Sequence, residues 1–126
     1  MKSIINSNKA PEPIGPYNQA IMANNTLYIS GQVGINRETG NFVNDNINAE
    51  ITQVMNNLSA ILQEANLDFS NIVKCSIFVS DLNNFTAINK IYGSYFKDNY
   101  PAREMVEVKK LPINANVEIS AIAVKS

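Results

Sequence analysis

The sequence predicts an α+β fold with the element order β-β-β-α-β-α-β-β. Three observations carry this. Several stretches alternate apolar and polar residues at a period of two, two others repeat their apolar residues at helical spacing, and Asn, Gly and Pro residues punctuate them. The chain has 126 residues, which suits one domain spanning 1–126 and suffices to bury a core. Its apolar fraction of 45% and charged fraction of 17% are those of an ordinary globular chain.

Lys2–Asn6 is short and partly alternating, as an edge strand would be. The loop Ala10-Pro11-Glu12-Pro13-Ile14-Gly15-Pro16 is extended and stiff, because its three prolines restrict themselves and their predecessors. Tyr17–Met22 and Thr26–Val33 read as two strands joined at Asn24-Asn25, a pair that tolerates positive φ in a tight turn. Arg37-Glu38-Thr39-Gly40-Asn41 forms a second turn. Residues 48–66 are the clearest helix, with Ile51, Val54, Met55, Leu58, Ile61, Leu62 and Ala65 on one face. Asn48 is the expected N-cap, and Asn66 suits the left-handed position that ends a helix. Ile72–Val79 is a strand with Val73, Cys75, Ile77 and Val79 expected on one side. Phe85, Ile88, Ile91, Tyr92, Tyr95 and Phe96 mark the second helix, which ends before Pro101. Ala102–Val108 and Val117–Lys125 are the last strands.

The final strand is apolar on both sides. Val117, Ile119, Ala121 and Ala123 face one way, and Ile122 and Val124 the other. Two helices cover only one face of such a sheet. A strand with two apolar faces needs a second cover, and with no third helix that cover is expected to be another subunit.

Composition narrows the chemistry. A net charge of −1 and scattered basic residues, with Lys109–Lys110 the only doublet, argue against phosphate-driven nucleic-acid binding. No apolar run reaches signal-peptide or membrane-span length, so a cytoplasmic protein is expected. A single cysteine, Cys75, excludes an intrachain disulfide and any CxxC site, and it reads as a buried small hydrophobe. The chain has no histidine, which removes Ser-His and Cys-His nucleophile pairs and the usual zinc ligand sets. Any catalysis falls to Arg, Glu, Asp, Tyr, Lys, hydroxyls and backbone groups.

Several segments recur in a telling order: Gly15-Pro16-Tyr17-Asn18-Gln19-Ala20, Tyr28-Ile29-Ser30-Gly31-Gln32, Gln53–Leu58, Asp81–Phe85, Asn89–Tyr92, Pro101–Val108, Leu111-Pro112 and Val117-Glu118-Ile119. In this succession the chain resembles the Rid (YjgF-like) family over essentially its whole length. The resemblance implies a chorismate-mutase-like fold, with a six-stranded mixed sheet and two helices on one face. It also implies a homotrimer with clefts between subunits, and no metal or organic cofactor. The activity it implies is hydrolysis of 2-aminoacrylate, 2-aminocrotonate and related 2-imino acids to 2-keto acids and ammonia.

Arg103 is the first expected site residue. A planar guanidinium grips a carboxylate through two parallel hydrogen bonds, and a small imino acid offers little else to hold. The resemblance places the carboxylate-binding arginine here, with Ala102 and Met105 beside it in the pocket. Without the resemblance, Arg103 reads as a surface residue at a strand start. Glu118 is the second. Imine hydrolysis needs a positioned water and proton transfers, and the apolar residues around Glu118 would raise its pKa by desolvation. Its alternative is an outward-facing strand carboxylate. If Val108 pairs with Val117, Arg103 and Glu118 share a sheet face. By resemblance Tyr17 overhangs the cleft, Ser30 and Gly31 line it, Asn89 is its polar helix residue and Phe85 its wall. The alternatives are packing under a loop for Tyr17, a solvated helix side for Asn89 and core for Phe85.

The chain departs from the family at Met105, where many members have cysteine, and at Glu104 in place of a smaller residue. Met105 is no thiolate, so covalent sulfur chemistry is unavailable there while a water mechanism survives. Glu104 is expected to point away from Arg103 by strand alternation. These departures keep open a non-catalytic carboxylate-binding or regulatory role. A ribonuclease or translation-inhibitor role, also attached to the family, is opposed by the acidic balance and the missing histidines.

Overall fold

A computed structural model describes residues 1–126. Six strands form one sheet: β1 (Lys2–Ile5), β2 (Ala20–Ala23), β3 (Thr26–Gln32), β4 (Ile72–Val79), β5 (Ala102–Glu107) and β6 (Val117–Val124). Their spatial order is β1-β2-β3-β6-β4-β5. All neighbours are antiparallel except β4 and β5, which run parallel across the second helix. The helices α1 (Ile47–Glu64) and α2 (Phe85–Ser94) lie on one face of the sheet, as expected. No helix is long and apolar enough to cross a membrane.

Local chemistry accounts for the turns. Asn24 and Asn25 both adopt positive φ, 50° and 62°, joining β2 to β3 as a mirror-image hairpin turn. Helix α1 ends on Asn66 at φ 60°; the Asn66 N–H donates to the Gln63 carbonyl and the Leu67 N–H to the Leu62 carbonyl, each at 2.9 Å. The N-cap is Asn46 rather than Asn48. The Asn46 side chain accepts from the Ala49 N–H at 2.8 Å, while Asn48 already lies inside the helix. Buried Ile51, Val54, Met55, Leu58, Ile61 and Leu62 press against the sheet. Each such side chain contributes about 1.5–3 kcal/mol of burial.

Three further expectations are corrected. Strand β2 begins at Ala20, because Tyr17–Gln19 belong to the proline loop. Val73 is exposed; a register irregularity between Ile72 and Lys74 turns Ile72 inward in its place. Val108 does not pair with Val117. Strand β5 arrives through the α2 crossover and lies parallel to β4 at the sheet edge. Strand β6, the one with two apolar faces, inserts centrally between β3 and β4.

This topology leaves one sheet face bare. Val117, Ile119, Ala121 and Ala123 are buried under the helices. On the other side stand Ile4, Ile21, Tyr28, Phe78, Ile122 and Val124, with Tyr28 50% exposed and Ile4 62% exposed.

Candidate functional site

The site residues fall into two groups. The first gathers at the β5 edge on the helix side. Arg103 lies opposite Cys75 of β4, so its side chain rises on the face that α2 covers. The guanidinium carbon sits 5.1 Å from the Tyr92 ring centroid and 5.9 Å from that of Phe85. Aromatic faces attract a cation and fix the plane of a guanidinium. Asn89, Tyr92, Gly93, Tyr100, Pro101 and Arg103 line a cleft of about 250 Å³. Phe85, beside Arg103, is 47% exposed and so is not core.

Arg103 has no carboxylate partner. The chain's one ion pair is Lys74–Glu104 at 3.0 Å, on the opposite face. A cation held by aromatic rings with its hydrogen-bond donors uncommitted is a ready receptor for an anion. Beneath it, Tyr92 is only 4% exposed, and its hydroxyl is buried without a hydrogen-bond partner. Burial raises the pKa of that hydroxyl and of the neighbouring Cys75 thiol, so both stay neutral. Cys75 is indeed a buried small hydrophobe.

The second group lies on the bare face. Glu118 is opposite Phe78 and half-buried, and desolvation raises its carboxyl pKa. Its carboxyl lies across Gly31: a Cβ there would stand 2.8 Å from Glu118 Cδ and 2.9 Å from Oε2. Only glycine admits that approach. The β3–β6 ladder is irregular between Ile29 and Gln32, which frees Ser30 and Gly31 from regular pairing. Ser30 donates through Oγ to the Asn18 carbonyl at 2.7 Å and through its N–H to the Gln19 carbonyl at 2.8 Å. Tyr17, half-exposed, shares a groove with Ile21, Tyr28 and Ser30.

Within one chain the structure sets Tyr17 in one groove with Ser30 and lays Glu118 across Gly31, and separately it places Arg103 beside Asn89 and Phe85. Arg103 and Glu118 do not share a face. They flank β4 on opposite sides of the sheet, because the expected β5–β6 pairing is replaced by β5–β4 and β4–β6. Ala102 and Glu104 alternate with Arg103 and point to the bare face, so Glu104 does turn away from the arginine. Met105 shares Arg103's face but packs against the core.

Sequence reasoning missed several buried polar anchors, among them Asn57, whose Nδ2 donates to the Val33 and Ile35 carbonyls at 3.0 Å each. Gln19 holds the proline loop: its Nε2 donates to the carbonyls of Ser7, Ala10 and Pro11, and its Oε1 accepts from the Ser7 N–H. Glu50 is fully buried and accepts two hydrogen bonds from Asn116, each 2.7 Å. Its signal was available, since Glu50 continues the apolar series Val54, Leu58, Ile61 at helical spacing.

The family model described as Endoribonuclease L-PSP matches residues 7–125. The chain belongs to the YjgF/Rid family. Among relatives it is 50% identical over 123 residues to a RutC family protein of Aquifex aeolicus, covering 96% of this chain and 98% of that one. It is 40% identical over 125 residues to the human 2-iminobutanoate/2-iminopropanoate deaminase, covering 99% and 91%. The fold superposes on the Rid-family protein YyfA of Yersinia pestis with a TM-score of 0.97 at 45% identity, covering 99% and 100% of the chains. It also superposes on E. coli TdcF, solved with bound serine, with a TM-score of 0.94 at 35% identity, covering 98% and 99%. In this fold Arg103 lies on the edge strand β5 and Glu118 on the central strand β6.

Proposed function

We propose that this protein is a hydrolytic deaminase of small 2-imino acids, acting in clefts between the subunits of a homotrimer. The observation that carries the reading is the uncommitted Arg103 guanidinium on its aromatic wall, complemented by the desolvated Glu118 carboxyl on the other face. Opposite faces of one chain meet when a second copy covers the bare sheet. Arg103, Asn89 and Phe85 of one subunit then stand against Tyr17, Ser30, Gly31 and Glu118 of its neighbour. The name of the human relative and the amino acid bound in TdcF support a small amino-acid-derived substrate.

The chemistry follows. Enamines such as 2-aminoacrylate and 2-aminocrotonate tautomerise to 2-imino acids with an electrophilic C2. Arg103 holds the carboxylate in the plane of its fork, which fixes C2. Glu118 accepts a proton from water as the oxygen adds to C2. With the imine nitrogen protonated, this addition gives a carbinolamine. Glu118 returns its proton to that nitrogen, then takes the C2 hydroxyl proton as the C–N bond breaks and the keto carbonyl forms. It passes that proton to the departing ammonia, leaving the 2-keto acid and ammonium.

The test couples a serine or threonine dehydratase to this protein and times keto-acid release. Acceleration at catalytic protein concentrations is expected, and none at all would overturn the reading. Light scattering is expected to give about three times 13.9 kDa, since an apolar sheet face of this size requires cover. A stable monomer at micromolar concentration would remove the shared site.

Gly31→Ala probes the close approach. Its Cβ would meet the end of a flexible side chain, so Glu118 rotates away while the fold persists. Deamination is expected to fall by about tenfold or more, with the melting temperature nearly unchanged. Unaltered turnover would show that this pose of Glu118 is irrelevant.

A further inference from the structure

A fully buried carboxylate with no place in the chemistry above is the least expected feature of the molecule. Glu50 sits in the first turn of α1, on its core-facing side. Its Oε2 accepts from the Asn116 N–H and its Oε1 from Asn116 Nδ2, both at 2.7 Å. Asn116 is tied on its other side as well: its carbonyl accepts from the Ser80 N–H at 3.1 Å, and its Oδ1 accepts from Ser80 Oγ at 3.3 Å. Asn116 stands two residues before Glu118, at the entry to β6. The Glu50 side chain also lies against Gly34, just beyond β3, where a Cβ would stand 3.0 Å from Glu50 Cγ and 3.2 Å from its carbonyl oxygen. Glu50 thus bonds the start of β6 through its carboxylate and packs its Cγ and backbone carbonyl against the chain leaving β3.

Those two strands are the pair across which Glu118 reaches Gly31. Their ladder is interrupted between Ile29 and Gln32, at the glycine itself. A bulge leaves residues unpaired and bends the strand locally, so contacts beside it bear on the spacing there. We infer that Glu50 is a positioning residue: through Asn116 and Gly34 it fixes the spacing of β3 and β6 at which the Glu118 carboxyl lies across Gly31. A buried carboxylate costs desolvation, and simple bracing is met more cheaply by an apolar side chain. Two directed, short hydrogen bonds instead specify an orientation.

The inference rests on Glu118 being the water-activating group, and two readouts separate the claims. Glu50→Leu, close in volume, removes both acceptors. Relative to the native trimer, kcat is expected to fall by about tenfold or more. KM is expected to stay within about twofold, because Arg103 binds the substrate from another strand. Glu50→Gln restores most of the activity: its carboxamide oxygen accepts the Asn116 N–H, and a turned Asn116 carboxamide accepts from its Nε2. The second readout needs no turnover. The carboxyl carbon of Glu118, assigned by its loss in Glu118→Gln, is expected to shift in the Glu50→Leu spectrum and to return in Glu50→Gln. If Glu50→Leu fails to fold, Asn116→Ala, which keeps the backbone N–H, takes its place with a smaller effect in the same direction. A lowered melting temperature with native kcat and an unmoved Glu118 signal would reduce Glu50 to a structural brace and overturn the inference. A shifted Glu118 signal in a protein without deaminase activity would leave the positioning intact and refute the function.

Discussion

Arg103→Lys is expected to be nearly as damaging as Arg103→Ala, with kcat/KM reduced by roughly 30- to 900-fold in either, or about 2–4 kcal/mol of lost stabilisation. The reason is geometric. Lysine keeps the positive charge, but one ammonium cannot present two parallel donors to a carboxylate, nor lie flat on Tyr92 at 5.1 Å and Phe85 at 5.9 Å. Losing that plane frees C2 to swing relative to the attacking water. The proposed trimer is expected to survive both substitutions, because Arg103 makes no ion pair whose loss would strand a buried charge. Substantial retention of activity in Arg103→Lys would show that the residue acts as a simple positive field. Near-native turnover in Arg103→Ala, in an intact trimer, would remove it from the site.

Glu118→Gln is expected to separate activity from stability. Turnover should fall by about 10²–10⁴-fold, the usual contribution of a positioned acid–base group. The native acid limb of the rate profile is expected above the ordinary carboxylate range, because desolvation raises this pKa. The effect on stability has the opposite sign. At pH values below the unfolded pKa the carboxyl is protonated in both states and contributes no difference. As pH rises, the unfolded chain releases the proton first, so the fold loses stability up to the raised folded pKa and carries the penalty above it. At neutral pH glutamine removes that penalty, and calorimetry should show a higher melting temperature in the inactive variant. An inactive variant that melts lower would indicate that Glu118 is held by interactions favouring its charge.

Much of the fold was legible because local patterns and tertiary needs agree. The Asn24-Asn25 turn, the Asn66 helix stop and the buried stripe of α1 each have one physical solution, and the sequence states it. The two apolar faces of β6 pointed only to a second cover; its central place in the sheet was not foreseen. Its neighbours could not be read. Chain proximity favours pairing β5 with β6, yet the α2 crossover commits β5 to a parallel edge beside β4. That one difference in pairing moves Arg103 and Glu118 to opposite faces. The Val73 position failed for a smaller reason of the same kind, a register irregularity that no alternation rule reports. Family resemblance, more than residue identity, pointed to Arg103 and Glu118, and it alone pointed to Tyr17, Ser30, Gly31, Phe85 and Asn89. Glu50 stayed hidden because a glutamate in the first turn of a helix is ordinarily a solvated partner of the helix dipole.

The proposed split of the site across the sheet has a genetic consequence. A chain lacking Arg103 still presents an intact Glu118 surface, and a chain lacking Glu118 still presents an intact Arg103 cleft. In a cyclic trimer assembled from both, one interface necessarily joins the sound half of each. Two alleles that are each null would therefore complement in the same cell, whereas two defects within one half-site would not. The pattern of complementation would map the halves of the cleft, with no structure of the assembly needed.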